Sequence, residues 1–169
     1  MDDNYTIISG TNRPGSNTIK VARYYEQLLK SKNITPQFLN LEGWKFLEKT
    51  KEFEQIEKDI LIPTNKFIFI TPEYNGSIPG VLKVMLDISD YKRVWWGKKA
   101  LLTGVATGRS GNLRGMDHLT GILHYLRVFV HPYKLPLSKV SDLINGDGEV
   151  TDSATANAIN TQVSEFIQF

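Results

Sequence analysis

The run KFIFIT, Lys66–Thr71, constrains this chain more than any other stretch of it. It is continuous, aromatic and β-branched, without polar alternation, which suits a strand buried on both faces. A strand of that kind needs helices above and below its sheet, and parallel crossovers supply them. The rest of the chain keeps the same rhythm. YTIIS (Tyr5–Ser9) and PQFLNL (Pro36–Leu41) read as strands before it; KALLTGVA (Lys99–Ala106) and VFVHPY (Val128–Tyr133) read as strands after it. Helical spacing appears between them: Ala22, Tyr25 and Leu29 within about Asn17–Lys32, then Phe53, Ile56 and Ile60 within Glu48–Ile62. Pro79 suits the first turn of a helix reaching about Ser89, with Leu82, Met85 and Leu86 on one face. Met116, Leu119, Leu123 and Leu126 mark a fourth helix after Gly111. After the turn NGDGE (Asn145–Glu149), Asp152 or Ser153 can cap a fifth that buries Ile159, Val163 and Phe166. Five strands alternating with five helices predict a doubly wound α/β sheet, and 169 residues suit a single domain over residues 1–169.

In such sheets ligands bind beyond the carboxyl ends of the strands. Three loops leave those ends, Gly10–Asn17, Pro72–Ile78 and Thr107–Asn112, and all are rich in glycine, hydroxyl and amide residues. In the first, Gly10 and Gly15 permit a tight turn whose amides face inward. The start of the following helix adds free N–H groups and a positive dipole end. Thr11, Ser16 and Thr18 bring hydroxyls, and Arg13 a two-pronged guanidinium. The nature of the anion follows from two mismatches. Ser16 stands where a nucleoside-triphosphate loop needs lysine, and Asn12 stands where a dinucleotide fingerprint needs its second glycine. A monophosphate fits better than either. In the second loop, TPEYNGSIPG, Tyr74 can lie against a flat ring, and Asn75, Gly76 and Ser77 can donate to its edge. Pro72 and Pro79 stiffen both ends of that loop, which reduces the entropy lost on binding.

SGTNRPGSN together with PEYNGSIPGVLK and the later Asp87 resembles the NADPH-dependent FMN reductase family, flavodoxin-like flavoproteins that include azo-, quinone- and chromate-reducing enzymes. The resemblance implies a three-layer flavodoxin-like sandwich with a five-stranded parallel sheet in the order 2-1-3-4-5. It implies that the first loop holds the FMN phosphate, through Thr11, Arg13, Ser16, Asn17 and Thr18. It places the isoalloxazine ring against Pro72, Glu73, Tyr74, Asn75, Gly76 and Ser77. The third loop closes the ring site in the family and commonly carries a glycine pair. Here it reads ATGRSGNLRG, which leaves Thr107, Gly108, Arg109 and Ser110 as candidates. Val84 and Ile88 depart from the asparagine and tryptophan often found in the family. The implied activity is hydride transfer from NADPH or NADH through FMN to a flavin, quinone, azo or similar acceptor. No side-chain acid or base is required for the hydride step, so no catalytic residue is assigned. Arg109 or Arg114 could meet a 2′-phosphate. Family members are generally dimers or tetramers. Trp95, Trp96 and the exposed sides of the third and fourth helices are the candidate interface.

Other chemistries find little support. The chain has no cysteine, which excludes disulfides, thiolate nucleophiles and Cys-bound zinc. His118, His124 and His131 lack zinc-ligand spacing, and no G-x-S-x-G elbow is present. A net charge of +2 is too small to argue for nucleic acid, and a flavodoxin-type electron carrier would normally be strongly acidic. No apolar run approaches a membrane span, and the acidic start MDDNYT does not look like a signal peptide, so a cytoplasmic location is expected.

Overall fold

The computed structural model describes residues 3–169. Strand β1 (Tyr5–Ser9) leads to helix α1 (Asn17–Ser31) and strand β2 (Gln37–Asn40). Helix α2 (Lys51–Ile56) widens into a π-helical turn at Glu57–Leu61 before strand β3 (Lys66–Pro72). Helix α3 (Gly80–Ile88), a second π-helical turn (Tyr91–Trp95), strand β4 (Lys99–Val105) and helix α4 (Leu113–Tyr125) follow. The chain closes with β5 (Phe129–Val130), β6 (Leu135–Leu137) and α5 (Ser153–Gln168). Every pairing in the sheet is parallel, and the strand path is β2-β1-β3-β4-β5, with β6 also beside β4. This is the 2-1-3-4-5 order that the sequence resemblance implies.

Strand β3 lies at the centre, and its residues 66–71 are all buried. Successive side chains of a strand leave opposite faces. Phe67 and Phe69 therefore join Leu82, Met85, Met116 and Leu119 on one side, while Ile68 and Ile70 join Tyr25, Ile159, Val163 and Phe166 on the other. Two apolar layers result, one under α3 and α4, the other under α1 and α5.

The structure corrects the sequence reading at four places. The expected fifth strand, Val128–Tyr133, breaks into β5 and β6, because Pro132 has no amide to donate to a ladder. Gln162 fills the gap: its buried amide donates to the carbonyls of Leu102 (3.1 Å) and Tyr133 (2.8 Å). Its Oε1 accepts from the Tyr25 hydroxyl at 2.7 Å. The charged stretch 48–62 is helical only from Lys51, where Thr50 caps it. It widens at Glu57, whose buried carboxylate accepts from the Asp90 amide and pairs with Lys49, each at 2.5 Å. Pro79 is the N-cap of α3 rather than part of its first turn. Finally, Trp95 is fully buried within its own chain. Its indole lies 4.9 Å from the Phe67 ring and donates to Ser89 Oγ at 2.7 Å. Trp95 is therefore core and offers nothing to a partner. Trp96 stays at the surface under the Arg127 guanidinium, 4.0 Å from its ring centre.

Candidate functional site

The three loops predicted to carry function meet at the C-terminal ends of β1, β3 and β4, around one cavity of about 420 Å³. Ser16 caps α1, its hydroxyl accepting from the Ile19 amide at 3.3 Å, and Gly15 turns the chain with φ +59°. Among the described residues, no hydrogen bond of the chain takes up the amides of Gly15, Ser16, Asn17 or Thr18. Those of Ser16, Asn17 and Thr18 are donors that any helix start leaves unpaired, and these three residues border the cavity.

The second loop is a tight reversal. Tyr74 and Ser77 exchange backbone hydrogen bonds of 2.9 and 3.1 Å, and Asn75 and Gly76 between them take φ of +52° and +76°. Positive φ at both central positions is the requirement of a type I′ turn, which Asn-Gly meets. Among the described residues the amides of Asn75 and Gly76 have no partner, but the turn spends that of Ser77, which the sequence had offered as a donor. The Tyr74 ring is held from the first loop: the Arg13 guanidinium sits 4.4 Å over its centre, and its hydroxyl shares a 2.5 Å hydrogen bond with the buried Thr11. Two side chains thus fix one wall of the cavity before any ligand is considered.

The third loop is held on its outer side by the segment after β6. The amides of Lys139 and Val140 donate to the carbonyls of Gly108 and Ala106, and Ser138 Oγ donates to the Arg109 carbonyl. Ser110 Oγ donates to the Glu73 carboxylate, joining the third loop to the second. The amides of Thr107, Gly108, Arg109 and Ser110 have no partner among the described residues.

Of the residues singled out from the sequence, Arg13, Ser16, Asn17, Thr18, Pro72, Glu73, Tyr74, Asn75, Gly76, Thr107, Gly108 and Ser110 line the cavity. Thr11 lies beneath it, linked to it through the Tyr74 hydroxyl and the Arg13 amide. Ser77 and Arg109 are not brought to its wall. The Ser77 hydroxyl instead meets His118 Nδ1 at 2.9 Å and faces a separate groove between α3 and α4. Sequence reasoning missed Pro14, Val105, Ala106 and Val140. Nothing local marks Val140; it arrives because the chain returns past the third loop after β6.

The family model described as NADPH-dependent FMN reductase matches residues 4–142. The chain belongs to this family. Its description carries both redox partners that the two sequence blocks imply. The chain is 28% identical over 125 residues to a 2-hydroxy-1,4-benzoquinone reductase of Burkholderia, covering 72% of this chain and 66% of that protein. It is 33% identical over 101 residues to an NAD(P)H-dependent FMN reductase of Pseudomonas aeruginosa, covering 57% of this chain and 54% of that one. The chain thus spans between half and two thirds of these curated relatives. Among solved structures, the flavoenzyme NAD(P)H:acceptor oxidoreductase FerB of Paracoccus denitrificans superposes with a TM-score of 0.81 at 22% identity, covering 98% of this chain and 96% of that one. A flavodoxin of Pseudomonas aeruginosa superposes at 0.64 and 18% identity, covering 98% and 99%. Those likenesses establish the flavodoxin-like fold.

Proposed function

We propose that this chain is an FMN-dependent NAD(P)H oxidoreductase that delivers hydride to a flavin, quinone, azo or similar small acceptor. One observation carries the reading: three loops converge on a single cavity, with a free helix start at one side and a rigid tyrosine turn at the other. That donor set suits a flavin mononucleotide. The amides of Ser16, Asn17 and Thr18, with the Ser16 and Thr18 hydroxyls and Arg13, would hold its phosphate, where the helix dipole favours a dianion. Tyr74 and the Asn75–Gly76 turn would bound its ring. FMN, when bound, supplies the hydride chemistry. The amides of Asn75, Gly76, Thr107, Gly108 and Ser110 would be backbone donors already in place to stabilise negative charge on the ring's carbonyl edge. Charge +2 disfavours the docking role of an acidic electron carrier.

The test is spectroscopic. Purified protein loaded with FMN should show the flavin absorption bands and lose them within the stopped-flow range on mixing with NADPH. Flavin that stays oxidised through that mixing overturns the oxidoreductase reading. A protein that takes up no FMN at all overturns the cofactor with it.

The reading extends to a second copy on the α3–α4 face. The groove there, about 1300 Å³, adjoins the second loop through Ser77 and carries Tyr125, 87% exposed, and Tyr91, 52% exposed. Sedimentation should give a dimer or tetramer that Tyr125→Glu dissociates; a wild-type monomer rejects the interface. No described helix is long and apolar enough to cross a membrane. A cytoplasmic location is proposed, and cell fractionation tests it.

A further inference from the structure

The third loop ends on a residue that the glycine-pair pattern does not foresee. Asn112 precedes α4 with φ +66° and is completely buried. Asparagine tolerates that left-handed backbone better than most residues, yet it brings a polar side chain into the interior. Its Nδ2 donates to the Thr71 carbonyl at 2.8 Å. Among the described residues its Oδ1 has no partner. The arrangement is not adjustable: reversing the amide would set Oδ1 against the Thr71 oxygen. The surrounding chain is shaped to admit it. A Cβ at Gly115 would stand 2.0 Å from Asn112 Oδ1, while a Cβ at Gly104 would stand 2.1 Å from the Gly111 carbonyl oxygen and 2.9 Å from Asn112 Cβ. Glycine in α4 makes room for this side chain, and glycine in β4 makes room for the Gly111–Asn112 turn that carries it.

Thr71 is the last residue before the Pro72–Ser77 loop, and Asn112 closes the Thr107–Gly111 loop. One buried hydrogen bond therefore joins the roots of the two loops between which the ring would lie. Farther out, Ser110 Oγ donates to Glu73 and lies 3.4 Å from the Asn112 amide. The outer side of the third loop is tied to residues 138–140. The Asn112 side chain supplies the tie from the inner side.

We infer that Asn112 is a positioning residue for the flavin ring, fixing the separation of the second and third loops through the Thr71 carbonyl. The inference rests on the FMN reading above. Without this bond the free amides at Thr107–Ser110 lose their fixed distance from the Asn75–Gly76 turn. Donors that must be ordered on binding contribute less affinity than donors already in place. Gly115 is part of the same device, since any larger residue there displaces the amide.

The experiment is a double-mutant cycle read by FMN affinity, from quenching of flavin fluorescence, together with amide hydrogen exchange of the FMN-free protein. Asn112→Gly keeps the left-handed turn and removes the tie. It should weaken FMN binding about tenfold, the worth of one buried hydrogen bond. It should also speed exchange at Thr107–Gly111 while α1 and α5 exchange as in the wild type. Asn112→Asp, the same size without a donor, should weaken binding at least as much. Gly115→Ala alone should resemble Asn112→Gly. The double variant Asn112→Gly/Gly115→Ala, which refills the vacated space with a methyl group, should bind no better than Asn112→Gly. Recovery of wild-type affinity in that double variant would mean that Asn112 only fills space, and would overturn the inference. Unchanged affinity and exchange in Asn112→Gly overturn it equally, and leave the FMN reading standing. Wild-type protein that binds no FMN overturns both.

Discussion

The two ends of the sheet are built on opposite plans. At the carboxyl ends of the strands, backbone amides at the start of α1, at Asn75–Gly76 and at Thr107, Gly108 and Ser110 are left without partners among the described residues, around a cavity. At the amino ends the loose groups are carbonyls, and lysines cover them. Buried Lys66 donates to the Phe166 and Ile167 carbonyls at 3.2 and 2.9 Å, closing the last turn of α5, and pairs with Asp3 at 2.9 Å. Lys98 donates to the Ile62 carbonyl at 3.1 Å, and Lys99 to that of Phe169. Helix α1 leaves the sheet with its amide end at the cavity, whereas α5 returns its carbonyl end to the far side. The dipole thus offers positive ends where an anion can bind and negative ends where cations already sit. One end is closed by cations on carbonyls and the other is left open by unpaired amides.

That division can be broken most forcefully at Lys66. Lys66→Ala strips one buried and one half-buried carbonyl of their donor and leaves a cavity, and should cost about 2 to 4 kcal/mol of unfolding free energy by urea titration. FMN affinity of the folded fraction should hardly move. A comparable loss of affinity would mean that the two ends are not separable. Arg13→Ala is the reciprocal variant. FMN binding should weaken about tenfold through the lost charge-assisted contact, while the urea midpoint shifts little. Unchanged affinity would remove Arg13 from the phosphate site. The smallest effect is expected at His131, buried at the closed end against Phe166 and Phe169. Burial holds its pKa below the ordinary 6.5, although nearby Glu165 pulls the other way. The unfolded chain then binds a proton that the folded one resists. Stability is full above the unfolded value and declines as pH falls below about 6.5 towards the depressed folded value. His131→Phe should flatten that decline in unfolding curves taken between pH 7.5 and about 5. An unaltered slope would assign the pH dependence to other groups.

The contrast also separates what was legible in the linear chain from what was not. KFIFIT announced a strand buried on both faces, and the apolar spacing of Leu82, Met85 and Leu86 or Ile159, Val163 and Phe166 announced the helical faces laid on it. The cavity loops were readable because glycine, asparagine and hydroxyl residues cluster where chain direction reverses, a local requirement that local sequence must satisfy. The two ends of α5 differ in this respect. Asp152 at its start is an adjacent cap, while its far end depends on Lys66, a hundred residues earlier in sequence. The division of the fifth strand needed Gln162 to satisfy what Pro132 interrupts.

By itself the sequence determined the alternation of strands and helices, the family and the three loops that meet at one site. The alternation and the loops depend on the period and chemistry of neighbouring residues, and the family on the resemblance of SGTNRPGSN and PEYNGSIPGVLK to known members. Only the tertiary structure decided that Trp95 is core, that the Ser77 amide is spent within its own turn, and that Asn112 reaches the root of a loop 41 positions away. Burial and hydrogen-bond partnership belong to pairs of segments. A residue's neighbours in sequence carry no record of which distant carbonyl it will face.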